Sequence, residues 1–122
     1  MRFAVLLALT IVFSGCASKT VPPTKNEINS ASKGVPIATL SPRYPAYAAA
    51  NGIQGHVCFL FTVKIDGSVS DLRVYESVPE DVFDYEATRA ILKWRFKPAM
   101  KDGVVVDAPN MRYCLDFKLS DE

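Results

Sequence analysis

The residues from Gly52 to Leu119 predict one small α+β domain, built on a hairpin and a packed helix. Three patterns carry that prediction. Val57, Phe59, Phe61, Val63 and Ile65 alternate with His56, Cys58, Leu60, Thr62 and Lys64, the period-two pattern of a strand with one buried face. Phe83, Ala87, Ala90, Ile91 and Trp94 recur at helical spacing. Met111, Tyr113, Leu115, Phe117 and Leu119 alternate through a last strand. At 122 residues, 49% of them apolar, the chain has material for one core and one domain.

The first fifteen residues read as an export signal: Arg2, an apolar run from Phe3 to Phe13, then Ser14 and Gly15. That run falls well short of the roughly 20 apolar residues of a membrane-spanning helix. Phe13-Ser14-Gly15-Cys16 resembles the lipobox of bacterial lipoproteins, which implies a lipid on Cys16 as the mature first residue. Alternatives are an ordinary signal cut near Ala17 or Ser18, or a retained signal anchor. Ala17, not Asp, follows the cysteine, so the lipobox resemblance implies passage to the periplasmic side of the outer membrane of a Gram-negative bacterium. Residues 16–40 are rich in Ser, Thr, Pro, Lys and Asn without a sustained period. They predict a flexible, lipid-anchored tether, spanning about 25 to 30 Å as a coil.

Ser41-Pro42-Arg43-Tyr44-Pro45 opens a short Ala-rich helix to Ala50, closed by Asn51-Gly52. The strand ending at Ile65 leads into Asp66-Gly67, the dipeptide of a two-residue type I′ hairpin turn. A return strand from Ser68 to Ser77 breaks parity among Val69, Leu72 and Val74, which predicts a bulge near Ser70 and Asp71. Pro79-Glu80-Asp81 begins the long helix, acidic where the dipole favours negative charge, and Pro98 follows its end. Lys101-Asp102-Gly103 makes another turn before Val104 to Val106.

The chain holds 14 basic residues, one of them Arg2 inside the signal, and 13 acidic ones. A formally neutral mature chain has no broad field for nucleic acid. With Cys16 lipidated, Cys58 and Cys114 remain, an even number in an oxidising compartment. His56 is the only histidine and has no partner ligand by local spacing. Neither a phosphate loop, a nucleophile elbow nor a Cys-x-x-Cys pair is present, so no catalytic residue, metal or cofactor is assigned and an enzyme is not expected. Trp94, Phe96 and Tyr44 have the spacing of core packing more than of a ligand cage.

From Pro42 to Leu119 the chain resembles the C-terminal domain of the TonB family, periplasmic energy transducers. The elements that carry the resemblance are Tyr44-Pro45, Gly52-Ile53-x-Gly55, Val57-x-Phe59-x-Phe61-x-Val63, Asp66-Gly67-x-Val69, Phe83-Asp84 with Ala87 and Ala90, Trp94-x-Phe96-x-Pro98 and Phe117-x-Leu119, in that order. The resemblance implies a domain over 41–119. Its sheet would be three-stranded and antiparallel, the first long strand lying between its hairpin partner and the last strand, covered by one long helix. The last strand, Met111, Arg112, Tyr113, Cys114, Leu115, Asp116, Phe117, Lys118 and Leu119, would then be an edge. By resemblance that edge would take up an extended segment of a TonB-dependent outer-membrane receptor as an added strand. Arg112, Asp116 and Lys118 would either read the added strand or guard the edge against aggregation. The resemblance also sets the strands of Cys58 and Cys114 side by side, where the two either bond or remain separate thiols. Energised family members carry a permanent membrane helix that meets ExbB and ExbD. No such pattern stands in this sequence, and engagement of ExbB and ExbD is left open. The second reading is an assembly lipoprotein that docks, or forms a homodimer, through the same edge.

Overall fold

The computed structural model describes residues 22 to 120, so the signal and Cys16 lie outside the described residues. In chain order the elements are α1 (Lys25–Ser30), β1 (Ser32–Lys33), β2 (Pro36–Ala38), α2 (Ala46–Ala50), β3 (Gly55–Val63), β4 (Val69–Val78), α3 (Asp84–Ile91), β5 (Arg95–Phe96), β6 (Ala99–Lys101), β7 (Val104–Val106) and β8 (Ala108–Phe117). The main sheet runs β1-β8-β3-β4. Its three long strands are antiparallel, but β1 joins β8 in parallel, so the sheet is mixed and four-stranded where three strands were expected.

The inner face of β3 behaves as its alternation predicts up to Val63: Val57, Phe59, Phe61 and Val63 are buried. Ile65 departs from the expectation and is 61% exposed. The strand has already ended there, and the Ile65 amide donates to Asp107 Oδ1 at 3.0 Å instead of to a ladder partner. The hairpin turn also differs from the two-residue form. The Lys64 amide donates to the Ser68 carbonyl at 2.9 Å and the Gly67 amide to the Lys64 carbonyl at 2.8 Å. Gly67 alone within the turn has positive φ, 83°. This is a three-residue loop, a type I turn closed by a left-handed glycine. Asp66 accepts from the Ser68 amide and hydroxyl, which favours the first arrangement. The two-residue turn with both φ positive occurs instead at Asp102-Gly103, between β6 and β7.

On β4 the bulge lies where broken parity predicts it. Asp71 and Leu72 together oppose Phe61, with Asp71 at φ 51°. A second irregularity makes Tyr75 the extra residue between Val74 and Glu76.

The covering helix is shorter than predicted: α3 has eight residues and starts at Asp84, not Pro79. Asp81 sits at φ 63°, a left-handed conformation that a right-handed helix cannot continue. Trp94 therefore lies beyond the helix, after a tightened last turn in which Lys93 and Trp94 donate to Ala90 and Ile91. Phe83, Ala87, Ala90, Ile91, Trp94 and Phe96 still form one core with the inner faces of β3 and β8. The short helix α2 ends as its Asn51-Gly52 predicts, with Ile53 donating to Ala48 and Gly52 to Ala49, a Schellman cap.

The stretch 25–38 is not the structureless tether that its composition predicts. Thr24 and Glu27 form a reciprocal capping box on α1. Glu27 reaches Arg73 of β4 at 3.5 Å, and Ser30 accepts from Asn110 at 2.9 Å. The segment thus crosses the outer face of the sheet, where Leu60 is 1% exposed although its parity points away from the core. Its order comes from polar and packing contacts with the sheet, Ala31 being buried there, and not from an apolar period of its own.

Gly67 also packs backbone to backbone: its carbonyl accepts from the Phe96 amide at 2.9 Å, and a Cβ there would stand 2.6 Å from the Phe96 carbonyl oxygen. Gly103 has φ 78° with open space around it. Gly67→Ala is expected to lose about 2 to 3 kcal/mol in urea unfolding and Gly103→Ala only about 1 kcal/mol, the cost of the φ alone. Equal losses would contradict the contact with Phe96.

Candidate functional site

The strand predicted as the partner-binding edge is β8. Its pairing with β3 runs in one register from Gly55 opposite Phe117, through Cys58 opposite Cys114, to Phe61 opposite Met111. Leu115 and Phe117 are buried, Met111 and Tyr113 lean on the core, and Arg112, Cys114, Asp116 and Lys118 face outward. Leu119 lies past the strand, where its amide donates to Gln54 Oε1 at 2.8 Å.

Hydrogen-bonding direction alternates along an antiparallel strand. The Arg112 carbonyl accepts from the Gly34 amide at 2.9 Å on the side away from β3. The main-chain groups of Cys114 and Asp116, two and four residues on, point to that same side. β1 occupies the start of this edge, with Ser32 beside Met111 and Lys33 beside Arg112. It then leaves: the Val35 carbonyl accepts from the Lys97 amide at 2.8 Å and β2 pairs with β5. The open part of the edge is therefore Tyr113 to Phe117, shorter than the predicted Met111 to Leu119. Gly34 is fitted closely at the departure point, where a Cβ would stand 2.9 Å from Phe96 Cδ1 and 3.2 Å from Phe61 Cζ.

Cys58 and Cys114 form a disulfide, with Cα atoms 4.0 Å apart. Their strands are adjacent and the pair is a non-hydrogen-bonded one, where facing side chains approach most closely. At a sequence separation of 56, the bond contributes about 4 kcal/mol on the chain-entropy estimate. The two cysteines differ in exposure: Cys114 is an exposed residue, whereas Cys58 is 2% exposed. His56 is half-buried, and its Nε2 lies 3.4 Å from Glu76 Oε2.

The remaining residues singled out in the sequence hold the scaffold. The Tyr44 hydroxyl donates to the Ile53 carbonyl, and its ring meets Phe83 and Phe117 edge-on. Pro45 precedes α2, Gly55 opens β3, Asp66 and Gly67 make the turn, and Pro98 follows β5. Trp94 and Phe96 are core residues, and Trp94 Nε1 donates to the Leu40 carbonyl at 2.7 Å.

A family model described as the C-terminal of the Gram-negative bacterial TonB protein matches residues 41–119. The chain belongs to the TonB C-terminal domain family. Protein TonB of Pseudomonas aeruginosa is 45% identical over 71 residues, which are 58% of this chain and 21% of that protein. Protein TonB of Escherichia coli is 36% identical over 67 residues, 54% of this chain and 28% of that protein. The aligned part is thus under a third of the length of either relative. Among solved structures, the solution NMR structure of the P. aeruginosa TonB C-terminal domain is similar over 76% of this chain and 93% of its own. Its identity is 37% and its TM-score 0.58. The TonB2 protein of Vibrio anguillarum is similar over 83% of this chain and 95% of its own, at 29% identity and TM-score 0.56. The TonB family match begins after β2, so the pairing of β1 with the edge lies outside it.

Two features of this site escaped the sequence reading. Thr24-x-x-Glu27 is a capping-box signature that marks the start of α1. The approach of Glu76 to His56 and Cys58 depends on the bulge at Tyr75 and has no local sequence signal.

The Glu27 carboxyl is held below the ordinary glutamate range, first by its hydrogen bond from the Thr24 amide and then by the charge of Arg73. A lowered folded-state pKa stabilises the docked segment above the ordinary glutamate value, and that contribution is lost as pH falls through the folded value. Amide exchange in residues 25–34, taken relative to the intrinsic rate at each pH, is expected to accelerate as pH falls through and below the ordinary glutamate range, while exchange in β3 stays slow on the same scale. Acceleration in both at the same pH would contradict a local release.

Proposed function

We propose that this protein is a periplasmic binding module of the TonB family that takes up an extended segment of an outer-membrane transporter, or of another envelope protein, as an added strand on β8. The observation that supports this reading most directly is the edge itself. It already accepts a short strand, β1, at Met111 and Arg112, and its outward main-chain groups continue beyond that point. Main-chain pairing supplies affinity without a signature residue, and Asp116 and Lys118 flank the added strand as candidates for specificity. The role is binding, in TonB-dependent transport, and not catalysis. We place the domain on the periplasmic side of a Gram-negative envelope, with a lipid on Cys16 and the outer membrane favoured. An incoming segment either continues along the line of β1 or displaces it. ExbB and ExbD would act on this chain only if it is coupled to the motor.

A second reading is an assembly lipoprotein that pairs with its own kind, favoured by the same β1 contact. A segment that adds to its own edge can add equally to the edge of a second copy.

Site-specific photo-crosslinking in living cells, with the probe at Asp116 and then at Lys118, separates the two. Capture of a transporter's N-terminal segment is the expected result. Capture of this chain alone, or of assembly proteins alone, supports the second reading and sinks the first.

A further inference from the structure

The outer face of the sheet gathers metal-ligand side chains from three strands, one of them the strand that carries the open edge. His56 and Cys58 come from β3, Glu76 from β4 and Cys114 from β8. One ligand atom from each of His56, Cys58 and Glu76 lies within 4.8 Å of the others. His56 Nε2 stands 3.4 Å from Glu76 Oε2, and Cys58 Sγ stands 3.7 Å from the same oxygen. A tetrahedral zinc ion with ordinary bond lengths sets its N···O edge at about 3.4 Å and its S···O edge at about 3.6 Å. The two observed separations match those edges, and the fourth donor, Cys114 Sγ, is bonded to Cys58.

We propose that the dithiol form of this protein binds one zinc ion through His56, Cys58, Glu76 and Cys114, and that the Cys58–Cys114 disulfide is the state that excludes it. The conversion requires a dithiol reductant. One of its thiolates attacks the sulfur of Cys114, the exposed residue of the pair, forms a mixed disulfide and expels Cys58 as a thiolate. The second thiol of the reductant then closes on the first, leaving the reductant as a disulfide and Cys114 reduced. Two electrons have passed to the cysteine pair, and their thiol protons leave to solvent as both sulfurs take up zinc.

The surroundings suit that change. Two thiolates and one carboxylate leave the loaded site with one net negative charge, and Lys33 and Arg112 line the same depression as Cys114. The Tyr75 hydroxyl lies 3.7 Å from Cys114 Sγ and supplies an outer hydrogen bond that orients this donor. Zinc would replace one cross-link between β3 and β8 by another, so the strand that carries the open edge stays in register in either redox state.

The test uses the full chain, as the disulfide and after a phosphine reductant, with Zn²⁺ and Co²⁺ as the probes. The reduced chain is expected to bind one Zn²⁺ at least about 100-fold more tightly than the disulfide form. Its Co²⁺ form should show tetrahedral d–d bands and thiolate-to-cobalt charge transfer. His56→Gln and Glu76→Gln retain both cysteines, and each is expected to weaken zinc binding by about tenfold or more. Circular dichroism of both variants as the disulfide confirms that they fold. Equal affinity in the two redox states overturns the assignment, and so does a reduced chain that unfolds without taking up zinc. Undiminished binding by both substituted chains overturns it as well.

Discussion

The antiparallel pairing of β3 with β8 is the constraint on which the rest of the molecule depends. It brings residues some 56 apart in sequence into direct opposition, and the Cys58–Cys114 bond holds that register covalently. A slip of one residue would turn the whole apolar set of either strand to the other face. Val57 with Leu115 and Phe59 with Tyr113 would leave the core, and Phe83 would lose its stacked partner Phe117, whose ring centroid is 4.4 Å away. The same register decides which main-chain groups of β8 face outward. Core packing and edge chemistry are therefore two consequences of one alignment.

The long strands and the core of α3 were legible because their signals are local and periodic. Val57 to Val63 and Leu115 with Phe117 read correctly from alternation alone, and the bulge at Asp71 read correctly from broken parity. Errors arose where a hydrogen bond or a backbone angle that leaves no mark on the apolar period decides the local geometry. Ile65 continued the apolar alternation, yet Asp107 takes its amide and ends the ladder. The Asp66-Gly67 dipeptide fits two turn types, and the hydrogen bonds from Ser68 select the longer one. At α3 the apolar spacing ran on to Trp94, but Asp81 delays the start and the indole is held by the Leu40 carbonyl outside the helix. The site was legible only through its strand. Which part of the edge is open depends on β1, whose two residues carry no strand signal of their own.

The N-terminal segment changes how the edge is understood. A coil of Ser, Lys and Asn residues gains order by lending its backbone to a sheet that is otherwise unfinished on that side. Gly34 lets the segment approach Phe61 and Phe96, and the turn toward β2 then withdraws it from Tyr113 onward. The fold thereby covers one end of its edge and leaves the other unpaired. An exposed edge is a hazard in a stable protein, and Arg112, Asp116 and Lys118 all face outward along it.

Amide hydrogen exchange at Cys114 and Asp116, with and without a synthetic peptide copied from a transporter's N-terminal extended segment, tests the central claim most directly. These amides point away from β3, so they are expected to exchange rapidly in the free chain and to slow by about tenfold or more once the peptide pairs with them. A peptide that binds while both amides continue to exchange rapidly would contradict strand addition on β8.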